Sequence, residues 1–219
     1  MQMQQGQPGW LLGHAFGRIP VVADPSALLL PLLVYFITGG EWAHFAALLL
    51  PLVVAIVLHE LGHALAALWC KARNVAVVLT ALGGICLFSQ TLSPRQQLLV
   101  TIAGPTVNIL LFGLGLAVFF LVPEMPEKAE LVLRFHLWCN GILALFNLLP
   151  IYPLDGGQIV YFLQRILGLQ DRRARRSTFV ITVACAALVA LAAFKFEFHF
   201  IGFLTIFLVW QAYNHLERR

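Results

Sequence analysis

Several runs of apolar residues in this chain are too long for strands and too continuous for the face of a surface helix. Trp42–Trp69 carries a single acid and no Lys or Arg. A helix needs about 20 mainly apolar residues to cross the hydrocarbon of a bilayer, and this segment has them. Gln97–Val122, Leu131–Leu149 and Thr178–Phe194 meet or nearly meet the same test. Phe198–Tyr213 is slightly short, and Ser26–Thr38 is clearly short and contains Pro31. Tilt and local thinning accommodate shorter spans. The expected fold is an α-helical polytopic membrane protein with about six transmembrane helices. Composition agrees, because 60% of residues are hydrophobic and 11% charged. A soluble domain is about 45–50% apolar and about 25% charged. That leaves too little polar material to cover a water-soluble globule. Disorder and nucleic-acid binding are excluded as readings of the net charge of +4, which cytoplasmic loops explain. Cys70, Cys86, Cys139 and Cys185 lie far apart and read as apolar fillers.

Arg18 precedes the apolar run Leu28–Ile37, which invites comparison with a signal peptide. The stretch before it is long and no small-residue cleavage site follows, so a retained first helix is expected. Alternating the spans across the bilayer puts eleven Lys and Arg on one side, including Lys71, Arg73, Arg95, Arg172, Arg173, Arg218 and Arg219. Lys128, Arg134 and Lys195 fall on the other. Short loops rich in Lys and Arg stay in the cytoplasm. Both termini are therefore expected there, in a multi-pass protein surrounded by the lipid bilayer.

Between the second and third spans, Asn74–Thr91 reads NVAVVLTALGGICLFSQT. Its β-branched residues and Gly83-Gly84 predict two short strands with a glycine turn. Open strand edges cannot face lipid, so this hairpin is covered by protein or sits at the interface. Ile19–Val22 is a candidate further strand. The expected organisation is one membrane-embedded domain over residues 1–219. Within it lie an N-terminal strand and helix (13–38), a core (42–167) and a C-terminal helix pair (177–216).

The second span contains His59-Glu60-Leu61-Gly62-His63. Residues four apart share a helix face, so both imidazoles can bind one metal, with Glu60 beside the first. This is the H-E-x-x-H pattern of zinc metalloproteases, in which Glu is the general base. Ionisable groups within a membrane are costly and point to function. A catalytic zinc also needs a third protein ligand and an open position. Asp155, in Asn147-Leu-Leu-Pro150-Ile-Tyr-Pro153-Leu-Asp155-Gly156-Gly157, is the candidate. Pro150 and Pro153 break the helix and the glycines let the backbone turn. On spacing alone Asp155 is equally a helix N-cap.

HELGH on one transmembrane helix and NLLPIYPLDGG near the end of a later one resemble the site-2 protease family of intramembrane zinc metalloproteases. Gly104-Pro105-Thr106-Val107-Asn108 in the third span is similar to a further family pattern. The resemblance runs from about Ile19 to Leu167. It implies one zinc ion per chain held by His59, His63 and Asp155, with Glu60 activating water. It implies that Asn108 and Asn147 line the substrate site. The implied activity is endopeptidase cleavage in or near transmembrane segments of membrane-protein substrates, in regulated intramembrane proteolysis at a prokaryotic plasma membrane. A hairpin at the position of Asn74–Thr91 is expected to receive the unwound substrate as an added strand. Only Lys71–Ser93 separates the second span from Pro94, and nothing follows Arg219, so the pattern is that of a minimal core without PDZ or CBS domain. The alternatives are an inactive relative that binds membrane clients and a transporter using the same buried ionisable residues.

Overall fold

The computed structural model describes residues 9–217 apart from 82 and 123, and the backbone alone at 199 and 200. Arg218 and Arg219, counted above on the cytoplasmic side, lie outside the described residues. The elements run β1 (Trp10–Ala15), β2 (Ile19–Ala23), a 3-10 turn (Pro25–Leu28), α1 (Leu29–Ile37) and α2 (Trp42–Trp69). They continue with β3 (Ala76–Thr80), β4 (Gly83–Leu87), α3 (Pro94–Leu121), α4 (Glu127–Asn147) and α5 (Asp155–Ile166). The chain ends in α6 (Asp171–Lys195), α7 (His199–Ala212) and a π-helical turn (Tyr213–Glu217).

Among the described residues, four helices are long and apolar enough to cross a membrane: α2, α3, α4 and α6. The two spans read as short are short here also, α1 with 9 residues and α7 with 14. Burial within the protein runs opposite to that of a soluble domain. On α3 the large apolar side chains of Leu110, Leu114 and Phe120 are exposed while Asn108 is fully buried. That pattern suits a surface bathed in hydrocarbon, where exposing Leu is harmless and exposing an amide is costly.

The chain divides into two compact units, Met1–Leu92 with Ala103–Ala144, and Ser93–Ile102 with Leu145–Arg219. The first unit holds a sheet of order β1-β2-β3-β4. β3 and β4 pair antiparallel, with Thr80 opposite Gly83 and Ala76 opposite Leu87, so the expected hairpin is present. Ile19–Val22 is a strand as expected, pairing in parallel with β3. β1 was not anticipated. It returns antiparallel to β2 through Phe16 and Gly17, both with positive φ, and Arg18 N donates to Ala15 O at 3.1 Å. Asn-Gly or Asp-Gly is the usual sign of such a turn, and Phe-Gly hides it.

In the second unit the start of α3 carries a capping box. Ser93 N donates to Gln96 Oε1 at 3.0 Å and Gln96 N donates to Ser93 Oγ at 3.4 Å. Pro94 stands at the first helical position, where a missing N–H does no harm. The segment before α5 is fastened to α6, because Tyr152 N donates to Thr182 Oγ1 at 3.0 Å. Ile151, fully buried, packs in a cluster with Ala186 and Leu208.

Candidate metal centre

The site begins with a single turn of α2. Helical spacing stacks His59 over His63, and their Nε2 atoms approach to 3.1 Å with ring planes at 83°. Both rings and Glu60 are buried. With metal–nitrogen bonds of about 2.0–2.1 Å, two ligands at a tetrahedral angle stand about 3.3 Å apart. The observed convergence of two imidazole nitrogens fits a shared metal ion.

Glycines determine how closely neighbouring backbone reaches this turn. A Cβ on Gly104 of α3 would lie 2.3 Å from His63 Nε2 and 2.8 Å from His59 Nε2. The missing side chain at Gly104 is the space in front of the two nitrogens. A Cβ on Gly62 would lie 2.9 Å from Ala103 O, so the same helices approach backbone to backbone at the adjoining residues. On the sheet side, a Cβ on Gly84 would lie 2.2 Å from Glu60 Cγ. β4 therefore passes directly over the glutamate. Gly84 sits within the strand and clears Glu60, a task distinct from the turn expected of it. Cys86, two residues along β4, is pushed up to about 12 by burial and then by the charge of Glu60, so its thiol stays protonated.

Asn108 is placed by α3 one helical turn beyond Gly104. Its Oδ1 lies 2.5 Å from His59 Nδ1. Its Nδ2 donates to Ala55 O at 3.3 Å and to Asn140 Oδ1 at 2.9 Å. Both amide hydrogens of Asn108 are thus engaged inside the protein, and its oxygen contacts the histidine. Sequence reasoning missed Asn140 and its neighbour His136. α4 starts at Glu127, which places His136 mid-helix, and Asn140 is fully buried. The signal was available as a polar pair at i and i+4 on an otherwise apolar helix face.

Asp155 and Asn147 belong to the second unit. Asn147 is the last residue of α4 and is half-buried. Asp155 is buried and is the first helical residue of α5, while the N-cap position with extended ψ belongs to Leu154. The capping role left open by the spacing therefore falls one residue earlier. Cβ atoms on Gly156 and Gly157 would lie 2.2 Å from Leu148 O and 2.3 Å from Tyr152 N. These glycines let the start of α5 fold back tightly on Leu148–Tyr152, which fixes where Asp155 emerges.

A membrane-spanning helical fold with a small sheet laid over a buried H-E-x-x-H turn defines a class of membrane metallopeptidases. The model of peptidase family M50 matches residues 47–132 and 124–191, and the chain belongs to that family. A Synechocystis protein provisionally named a zinc metalloprotease is 35% identical over 175 residues, covering 74% of this chain and 46% of its own length. A zinc metalloprotease of Methanocaldococcus jannaschii is 31% identical over 117 residues, covering 53% of this chain and 34% of its own length. The chain thus spans less than half the length of these curated relatives. Among solved structures, the site-2 protease from Methanocaldococcus jannaschii matches with a TM-score of 0.63 at 22% identity, covering 94% of each chain. At that identity the likeness concerns the fold.

Proposed function

We propose that this protein is a zinc-dependent intramembrane endopeptidase acting on membrane-protein substrates. The observation that carries the reading is the pair of buried imidazoles whose Nε2 atoms converge at 3.1 Å, with Glu60 on the same turn. His59 and His63 supply two nitrogen ligands and Asp155 the carboxylate. Their donor set suits a single metal ion. Family membership and the order of the two motifs along the chain support Asp155 in that role.

A bound zinc ion supplies Lewis acidity toward water and the scissile carbonyl. The chain's own residues do the rest. Glu60 accepts the proton from the attacking water and returns it to the leaving amine. Burial of the site at membrane depth keeps Glu60 among low-dielectric walls, where its charge acts at full strength. A substrate helix must unwind to expose its carbonyl. β4 is the outer strand of the sheet next to the base, while β3 is paired on both sides, so strand addition occurs at the β4 edge. The uneven distribution of Lys and Arg supports an orientation with both termini in the cytoplasm.

Two substitutions test the mechanism with a model transmembrane substrate in detergent. Glu60→Gln keeps the proposed ligands and removes the base. Zinc is expected to stay near one per chain while cleavage falls on the order of 10²–10⁴-fold. Asp155→Asn exchanges a charged ligand for a poor neutral one, and zinc and cleavage are expected to fall together. Substantial cleavage by Glu60→Gln would overturn Glu60 as the base, and no cleavage by the zinc-loaded wild-type chain would leave a client-binding or transport role. Full zinc retention by Asp155→Asn would remove Asp155 from the ligand set.

A further inference from the structure

Beyond the proposed ligands and base, α3 and α4 share a chain of hydrogen bonds whose direction is fixed at every link. The bonds start at three backbone carbonyls, which can only accept. His136 Nε2 lies 2.9 Å from Leu111 O, so Nε2 carries a hydrogen. Asn140 Nδ2 donates to His136 O at 2.9 Å and also stands 3.4 Å from His136 Nδ1, where a donor faces an acceptor. The amide of Asn140 is thereby oriented, and its Oδ1 is left to accept from Asn108 Nδ2 at 2.9 Å. Asn108 Nδ2 also donates to Ala55 O at 3.3 Å. Turning the Asn108 amide over would set its oxygen against two acceptors. Its Oδ1 must therefore face His59 Nδ1, at 2.5 Å, and His59 Nδ1 must be the donor. The hydrogen sits on Nδ1 and the Nε2 lone pair is presented beside His63 Nε2.

We propose that Asn140, held by His136, is a positioning residue that sets the tautomer of His59 through Asn108, so that His59 offers Nε2 to a metal. Asn140 and Asn108 are fully buried, which removes competition from water and gives the relay one arrangement. Partners of this kind commonly govern a histidine ligand by bonding its other nitrogen. The proposal rests on the reading of His59 as a zinc ligand, and the experiment separates the two.

Metal-free protein labelled with 15N at histidine, with His59 assigned by its loss in His59→Asn, reports the tautomer directly. In the wild-type chain His59 is expected in the Nδ1–H form. Asn140→Leu breaks the link to Asn108. Asn140→Ser is the gentler variant, since a serine hydroxyl bonds back to the carbonyl four residues earlier yet is too short to reach Asn108. In both, His59 is expected to lose its single Nδ1–H form, and the zinc Kd is expected to rise about 10–100-fold. A His59 carrying Nε2–H in metal-free wild type, or an unchanged tautomer and zinc Kd in Asn140→Ser, would overturn the relay. A tautomer that follows Asn140 in a protein that binds no zinc would keep the relay and refute the metal reading instead.

Discussion

Two glycines give separate access to the two halves of the proposed chemistry. Gly104 faces the imidazole nitrogens and Gly84 faces the glutamate. Gly104→Ala would bring a methyl within 2.3 Å of His63 Nε2, into the space that a metal would use. The expected result is a loss of zinc affinity of about 10–100-fold or more, comparable with losing an outer-shell partner. Equilibrium dialysis against zinc measures it. Gly84→Ala would press on the Glu60 side chain and leave the histidines alone. A displacement of about 1 Å at a catalytic group costs about 10²-fold in rate, so cleavage should fall at unchanged zinc content. Equal zinc loss in both variants would show that the two glycines do not act separately. H-E-x-x-H was legible because its residue types and spacing carry the chemistry by themselves. The task of Gly84 was not, because a glycine read in sequence signals a turn, and only the packing of β4 over Glu60 reveals the close approach. The i, i+4 pair of His136 and Asn140 was visible in the sequence, but the link of Asn140 to Asn108 on another helix was not.

At the scale of elements, the segment leading into α5 is held to α6 by the Tyr152–Thr182 hydrogen bond and by Ile151, which packs in a cluster with Ala186. Thr182→Val removes the acceptor for Tyr152 N while nearly conserving volume. Losing a hydrogen bond of this kind costs about 0.5–1.5 kcal/mol. The variant should unfold at lower temperature, and its zinc affinity should drop through the loosened position of Asp155 if that residue is a ligand. Thermal unfolding with and without zinc reads both effects. β4 offers a second case. Successive N–H groups along a strand point to opposite edges, so proline at Ile85 and proline at Cys86 remove donors on different sides. One variant should lose a ladder bond with β3 and stability. The other should keep its stability and lose cleavage, as strand addition at the free edge requires. Two stable variants with full cleavage would end the case for strand addition. Val77 and Leu79 are unsuitable for this purpose, since β3 pairs with both β2 and β4. The β3–β4 hairpin could be read from its β-branched residues, and β2 from Ile19–Val22. β1 could not, because its residues Trp10, Leu11 and Leu12 are all exposed and show no buried, alternating face.

For the whole molecule, the question is which way the chain crosses the bilayer, and the charges carry the argument. Moving Lys or Arg across the hydrocarbon during insertion is opposed strongly enough that short basic loops remain inside. The segment between α5 and α6 meets this condition most clearly, with Arg172, Arg173, Arg175 and Arg176 at the start of α6. Asp171 offsets part of that charge by accepting from Arg175 at 2.7 Å and from the Tyr161 hydroxyl. Burial and then the Asp171 hydrogen bond raise the Tyr161 pKa above its usual value, so it stays a neutral donor. In the proposed orientation the remaining arginines hold this segment in the cytoplasm. Lys128, near the start of α4, belongs in that orientation to the opposite side. Single cysteines at Gln170 and Lys128, in a chain whose four native cysteines are replaced, test the assignment with a membrane-impermeant maleimide. In sealed cells Lys128→Cys should react at once, and Gln170→Cys only after permeabilisation. The reverse pattern would invert the orientation. Because α2 runs from Trp42 to Trp69, it would also move the entrance that water needs to reach His59 from the cytoplasmic face to the opposite one. In the proposed orientation that site lies about 15 Å inside the cytoplasmic end of its helix, so a polar path for water must open from the side where the arginines are.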